Sequence, residues 1–252
     1  MSAPLGFARA VVFDLDGTLV DSLDDIVGHL NAALVDAGVV ARTRDEVRGW
    51  VGGGAEQLVA RAVIDPAVVP DVLARFRTHY RASPHGRTRI YDGLGEALDR
   101  LARDGRVFAV LSNKPHDLVV EIADRLLARW RFGAVVGERA GHPRKPDPRV
   151  VLAMLGELGV APERSAFVGD SAIDVATARA AGMPSVAVSW GLRDCETISF
   201  PYRRGRRPRR RSRSTEAANP KGSQPLSDAR ALAAVAPDYT VTTPVELAAL
   251  FE

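Results

Sequence analysis

The chain has 252 residues, of which 46% are hydrophobic. That is enough for one large α/β domain, or for a core domain carrying a smaller insert. Eight arginines lie between Arg203 and Arg213, and without them the formal charge of +3 becomes −5, which excludes a broadly basic surface of the nucleic-acid-binding kind. The single cysteine, Cys195, excludes an internal disulfide and suits a reducing compartment. No apolar run approaches the roughly 20 residues of a bilayer crossing, and the first ten residues make a poor signal peptide. A soluble, cytoplasmic protein is expected.

In chain order, the apolar run Ala10–Phe13 reads as a buried strand that ends in Asp14-Leu15-Asp16-Gly17-Thr18. From Leu19 to about Pro84 the pattern is helical, without a convincing strand. Ile26, Leu30, Ala33 and Leu34 share one face, Leu58, Val59, Ala62 and Val63 another, and Leu73, Phe76 and Tyr80 suggest a third. Strands and helices then alternate: a helix around Leu94–Leu101, a strand at Val107–Leu111, a helix over Leu118–Trp130 and a strand at Ala134–Val136. A helix over Pro148–Leu158, a strand at Ala166–Val168, a helix over Ile173–Ala181 and strands at Ser185–Val188 and Tyr239–Val241 complete the series. Such alternation predicts an α/β fold, a Rossmann-like parallel sheet covered on both faces. Residues 1–18 and 85–252 are expected to form this discontinuous core, with residues 19–84 an inserted all-helical cap above the strand ends. The segment 202–227, rich in Arg, Pro and Ser, reads as a disordered insertion within the core.

Four polar groups sit where strands end or helices begin. The first is the pair Asp14 and Asp16, which are expected to point the same way because side chains alternate across an extended chain. Two carboxylates that close repel by about 4 kcal/mol at an effective dielectric of ~20. They call for a divalent cation or for a split between charged and protonated roles, although a solvated polar turn would also carry them. The others are Ser112-Asn113-Lys114 directly after Leu111, Lys145 before a helix, and Gly169-Asp170-Ser171 with Asp174. Singly, each has an ordinary reading as a turn, a surface lysine or a helix first turn. Jointly they supply acids for a metal, donors for oxyanions and a cation for phosphate, the set that phosphoryl transfer needs.

DLDGT at Asp14–Thr18, SN at Ser112–Asn113, KP at Lys145–Pro146 and GDS with Asp174 resemble the four motifs of the haloacid dehalogenase superfamily. The phrases DLDGTLVDS, VRGWVGGGAEQLV, IYDGL, LSNK, RKPDP and VGDSAIDVATARAAGMP further resemble its phosphoglycolate phosphatases with a helical cap. The resemblance implies that Asp14 is a nucleophile that takes the phosphoryl group, and that Asp16 is the general acid for the leaving alcohol and then the base for water. It implies Mg²⁺ held by Asp14, the Asp16 backbone carbonyl and Asp170, with Asp174 orienting that shell or ligating directly. Ser112, Asn113 and Lys145 are implied to hold phosphate oxygens, and Gly17 to keep the loop close.

Asp16 argues against a dehalogenase, and the absence of lysine between Leu19 and Pro84 argues against the phosphonate hydrolases of the family, which use a cap lysine. Sugar phosphomutases use cap His and Lys groups, and His29 alone is a surface residue on the ordinary reading. The expected reaction is hydrolysis of 2-phosphoglycolate, with another small phosphate ester or pyrophosphate as the alternative. Gly52-Gly53-Gly54 ahead of a helix would offer N–H donors to the substrate carboxylate, so Gly53 and Gly54 are candidate contacts, with Arg48 a candidate cationic partner. The arginine run Arg203–Arg213 could contact a polyanion by charge alone. A nucleic-acid-tethered binding protein is therefore the rival reading from another class.

Overall fold

The computed structural model describes residues 4–82, 86–192 and 236–252. Cys195 and the whole of segment 202–227, with Arg203–Arg213, lie outside them.

The buried strand β1 (Ala10–Phe13) is followed by a two-residue strand, β2 (Val20–Asp21). Four helices come next: α1 (Leu23–Asp36), α2 (Arg44–Trp50), α3 (Ala55–Ala62) and α4 (Val69–Ala82). The chain returns through β3 (Arg89–Ile90), which pairs antiparallel with β2, Val20 opposite Ile90 and Asp21 opposite Arg89. The first strand of this ribbon falls inside the stretch from Leu19 to about Pro84 read from the sequence as strand-free, and the second lies just beyond that stretch, where no strand was expected. Two residues are too few to show any alternation. Its anchor is the buried Asp25, whose carboxylate accepts the backbone N–H groups of Arg87 and Thr88 and, at 2.5 Å, the Thr88 hydroxyl. The segments leaving and re-entering the sheet are thereby tied to each other.

The remainder follows the alternating pattern. It comprises α5 (Leu94–Arg103), β4 (Val107–Pro115), α6 (His116–Ile122), β5 (Phe132–Glu138), α7 (Arg149–Glu157), β6 (Ser165–Gly169), α8 (Ala172–Ala181), β7 (Ser185–Val188), β8 (Tyr239–Val241) and α9 (Pro244–Ala249). The six long strands form one parallel sheet ordered β5-β4-β1-β6-β7-β8, so β1 lies between β4 and β6. Side chains alternate across it. Val11 and Phe13 join a cluster with Leu98 of α5, Val119 of α6 and Leu247 of α9, whereas Ala10 and Val12 pack with Met154 of α7 and Ala178 of α8. Both faces are covered, as expected of parallel strands. A separate apolar cluster unites Leu30, Leu34, Val47, Val59, Val72 and Phe76 within α1–α4.

Three boundaries differ from the sequence expectation. The strand read as Val107–Leu111 continues through Ser112, Asn113 and Lys114 to Pro115, with an irregularity in its pairing with β5. A polar run after an apolar one reads as a turn, but here all three side chains are buried and bonded within the protein. The helix expected over Leu118–Trp130 starts at His116 and passes into a π-type turn at Ala123–Leu127, ending before Trp130. The strand expected over Ala134–Val136 is longer at both ends, as β5. Among the described residues, no helix is long and apolar enough to cross a membrane.

Candidate active site

The C-terminal ends of β1, β4 and β6 bring the four polar groups together, where parallel sheets place their sites. Asp14 follows β1 directly. Its backbone N–H donates to Val168 of β6, and its Oδ1 accepts the N–H of Leu15 at 2.7 Å. Carboxylate oxygens of Asp14, Asp170 and Asp174 all lie within 4.8 Å of one another, and all three residues are buried. Lys145, just ahead of α7, reaches into this nest. Its Nζ is 2.8 Å from Asp14 Oδ1 and 2.6 Å from Asp174 Oδ1.

Asp174 also serves its own helix. Its Oδ2 accepts the backbone N–H of Ser171 at 3.1 Å and the Ser171 hydroxyl at 2.6 Å. Asp170 is gripped closely too. Its Oδ2 accepts the N–H of Leu192 at 2.8 Å, and a Cβ on Gly17 would come within 2.2 Å of that same oxygen. Gly17 has φ +88°, a conformation side chains resist, so glycine is required there twice over.

Were all three carboxylates ionised, one facing ammonium would leave an excess of two negative charges. Burial first of all, and then the Asp174 and Asp170 carboxylates, raise the Asp14 pKa to about 8 against the pull of Lys145. Lys145 stays charged: burial works against it, but Asp14 and Asp174 outweigh that and raise its pKa. An all-oxygen, over-negative nest of this kind fits a small hard divalent cation.

Asp16 lines the same cavity as Asp14 but stands outside the acid nest, so the pair expected to act on one cation is divided. Its carboxylate accepts the Ser22 hydroxyl at 2.6 Å and the ammonium of Lys114 at 3.1 and 3.2 Å. The two acids of the motif therefore have separate cationic partners, Lys145 for Asp14 and Lys114 for Asp16. Lys114 is buried and also donates to the Tyr80 hydroxyl of α4 at 2.7 Å, with its Nζ 4.5 Å from the Tyr80 ring centre. Burial opposes its charge, yet Asp16 and Tyr80 raise its pKa. Burial likewise is the main cause that pushes the Tyr80 hydroxyl up to about 12, so it remains a protonated donor or acceptor.

Ser112 lines the cavity between sheet and helices and accepts the N–H of Lys114 at 3.2 Å. The Asn113 carboxamide is occupied by backbone: its oxygen accepts the N–H of Lys145 at 2.9 Å, and its Nδ2 lies 3.1 Å from the carbonyls of both Lys145 and Gly52. It holds Lys145 in place and ties β4 to the loop before α3. The cavity, about 60 Å³, is walled by Ile26, Val51, Leu58 and Phe76 on the helical side, with Asp14, Asp16 and Lys114 opposite.

Of the glycines expected there, Gly54 lines the cavity and has φ +89° at the start of α3, whereas Gly53 lies outside its lining, against Gln57. Arg48 also lies outside the lining. Its Nε donates to the Leu192 carbonyl at 2.7 Å, joining α2 to the loop that holds Asp170. The arginine on the cavity is Arg77 instead. His29 is half-buried, its ring packed at 4.9 Å on Tyr80. Ser22 and Arg77 are residues that sequence reasoning passed over, Tyr80 was read only as part of a helix face, and Lys114 was grouped with Ser112 and Asn113 but given no role. Lys114 alone carried a signal, as one of only three lysines and neighbour to the Ser-Asn pair.

The family model for haloacid dehalogenase-like hydrolases matches residues 11–188. A phosphoglycolate phosphatase of Agrobacterium fabrum is 38% identical over 195 residues, covering 75% of this chain and 84% of the relative. One from Xanthomonas campestris pv. campestris is 37% identical over 189 residues, covering 74% and 86%. Among solved structures, one from Haemophilus somnus, described as a predicted phosphoglycolate phosphatase, superposes with a TM-score of 0.68 at 30% identity, over 73% of this chain and 87% of that one. A haloacid dehalogenase-like hydrolase from Streptococcus pneumoniae shares the fold with a TM-score of 0.76 at 22% identity, over 98% and 99%. The chain belongs to the haloacid dehalogenase-like hydrolase family, as a phosphoric monoester hydrolase that resembles the phosphoglycolate phosphatases.

Proposed function

We propose that the protein hydrolyses 2-phosphoglycolate to glycolate and phosphate, with Asp14 as nucleophile. The observation that carries this is the burial of Asp14 among Asp170, Asp174 and Lys145 at the end of β1, with a second acid, Asp16, two residues on and held by its own cation. An Asp14 oxygen attacks phosphorus and the ester P–O bond breaks, while Asp16 gives its proton to the departing alkoxide. Water then attacks the aspartyl-phosphate, Asp16 takes the water proton, and the Asp14–phosphorus bond breaks to release phosphate.

Lys145 and the Ser112 hydroxyl face the phosphoryl oxygens, with Lys145 aimed by the Asn113 carboxamide. Asp14, Asp170 and the Asp16 backbone carbonyl would hold Mg²⁺, with Asp174 orienting that set, and the ion would supply positive charge to the phosphoryl oxygens. Residues 19–84 act as a cap over this site, with the N–H groups at Gly54 and the start of α3 turned to the substrate.

The test is phosphate release from a panel of phosphate esters, with and without Mg²⁺, by the intact protein and by Asp14→Asn. Specificity for 2-phosphoglycolate, Mg²⁺ dependence and a loss of at least 10³-fold in Asp14→Asn are expected. Turnover that survives Asp14→Asn refutes the assignment.

A further inference from the structure

Lys114 is more than a counter-ion to Asp16. An ammonium has three donors. The Lys114 ammonium meets two groups of the protein, the Asp16 carboxylate at 3.1 and 3.2 Å and the Tyr80 hydroxyl at 2.7 Å. It also lines the cavity itself. On the helical wall facing it, the side chains of Ile26, Val51, Leu58 and Phe76 offer an anion nothing, so the donors of that wall are the backbone N–H groups at Gly54 and the start of α3. A carboxylate entering such surroundings is expelled unless a cation receives it. Among the described residues, Arg77, exposed and one turn before Tyr80 on α4, is the other positive charge on the lining.

The covalent geometry of the substrate completes the argument, which rests on the hydrolase reading above. Asp16 bonds the ester oxygen of the leaving group, and Asp16 is itself bonded to Lys114. A carboxylate one carbon beyond that ester oxygen therefore falls within hydrogen-bond reach of the Lys114 ammonium. We propose that Lys114 selects substrates bearing a carboxylate on the leaving group, and that Tyr80 is the contribution of the helical segment to that grip. Lys145 serves the phosphoryl end and Lys114 the carboxylate end.

The measurement is the ratio of kcat/KM for 2-phosphoglycolate to that for its isosteric carboxamide, 2-phosphoglycolamide. The unaltered protein is expected to favour the carboxylate by at least tenfold, and Lys114→Met to lower that ratio roughly 30-fold. Equal losses on both esters overturn the proposal, since Lys114 would then act only through Asp16. Tyr80→Phe keeps the ammonium and removes only the hydroxyl that aims it, and is expected to lower the ratio about fivefold. An unchanged ratio in Tyr80→Phe overturns the proposal even where Lys114→Met does not fold. If the unaltered protein with Mg²⁺ releases phosphate from neither ester nor from p-nitrophenyl phosphate, it is the underlying hydrolase reading that fails.

Discussion

A divalent cation is expected to stabilise the folded protein, and to do so more strongly as pH rises. Asp14 has an ordinary carboxyl pKa of 3.8 in the unfolded chain and one raised to about 8 in the cation-free fold, chiefly by burial. Between these values the folded form holds a proton that the unfolded form has lost. The cation-free fold is therefore most stable at the acid end of that window and loses stability as pH rises through it, by up to about 1.4 kcal/mol per pH unit. Above about pH 8 this contribution flattens. A cation displaces the proton, so its affinity grows by as much as tenfold per pH unit over the same range.

At a concentration 100 times its dissociation constant, the cation adds about 2.7 kcal/mol. For a chain of this size, that corresponds to roughly 5–10 °C in Tm. Thermal melts with 10-fold graded MgCl₂ at pH 5.5, 6.5 and 7.5 read this directly, with Asp170→Asn as the comparison. A shift that is the same at all three pH values, or equal in Asp170→Asn, refutes the argument that Asp14, Asp170 and Asp174 form the binding nest.

Other substitutions probe the supports of the site. Asn113→Ala removes the bonds to both backbone groups of Lys145 and to Gly52, so it should cost about 1–3 kcal/mol in denaturant unfolding and lower kcat/KM for phosphate release. Gly17→Ala sets a methyl against Asp170 Oδ2 in a backbone conformation unfavourable to alanine, so the Mg²⁺-dependent Tm shift should shrink markedly while the far-ultraviolet circular dichroism is kept. Deleting Arg203–Arg213 should leave kcat/KM for the phosphate ester unchanged, and should abolish any salt-sensitive retention on heparin.

The alternating apolar runs were enough to read the sheet, because a strand buried on both faces has no polar residues to confuse it. The same logic failed at Ser112–Pro115, where polar side chains continue β4 with interior partners that only the folded chain supplies. Asp14, Asp16, Asp170 and Lys145 were legible from motif and order. What motif could not convey was pairing. Lys114 finds Asp16 across 98 residues and Tyr80 across 34, and the arginine on the cavity is Arg77 where Arg48 was expected. These outcomes depend on how α2 and α4 pack against the sheet, and no local pattern encodes that.

The short ribbon of β2 and β3 has one more consequence. Chain departure and chain return are neighbours in the same ladder, about 5 Å apart, and Asp25 clasps the returning strand. A stretch of polypeptide whose two ends emerge from one spot can be lengthened, replaced or exchanged between relatives without re-routing any strand of the sheet below. The chemistry written in the sheet can thus be kept while whatever part of selectivity hangs from this doorway, such as Tyr80, is altered.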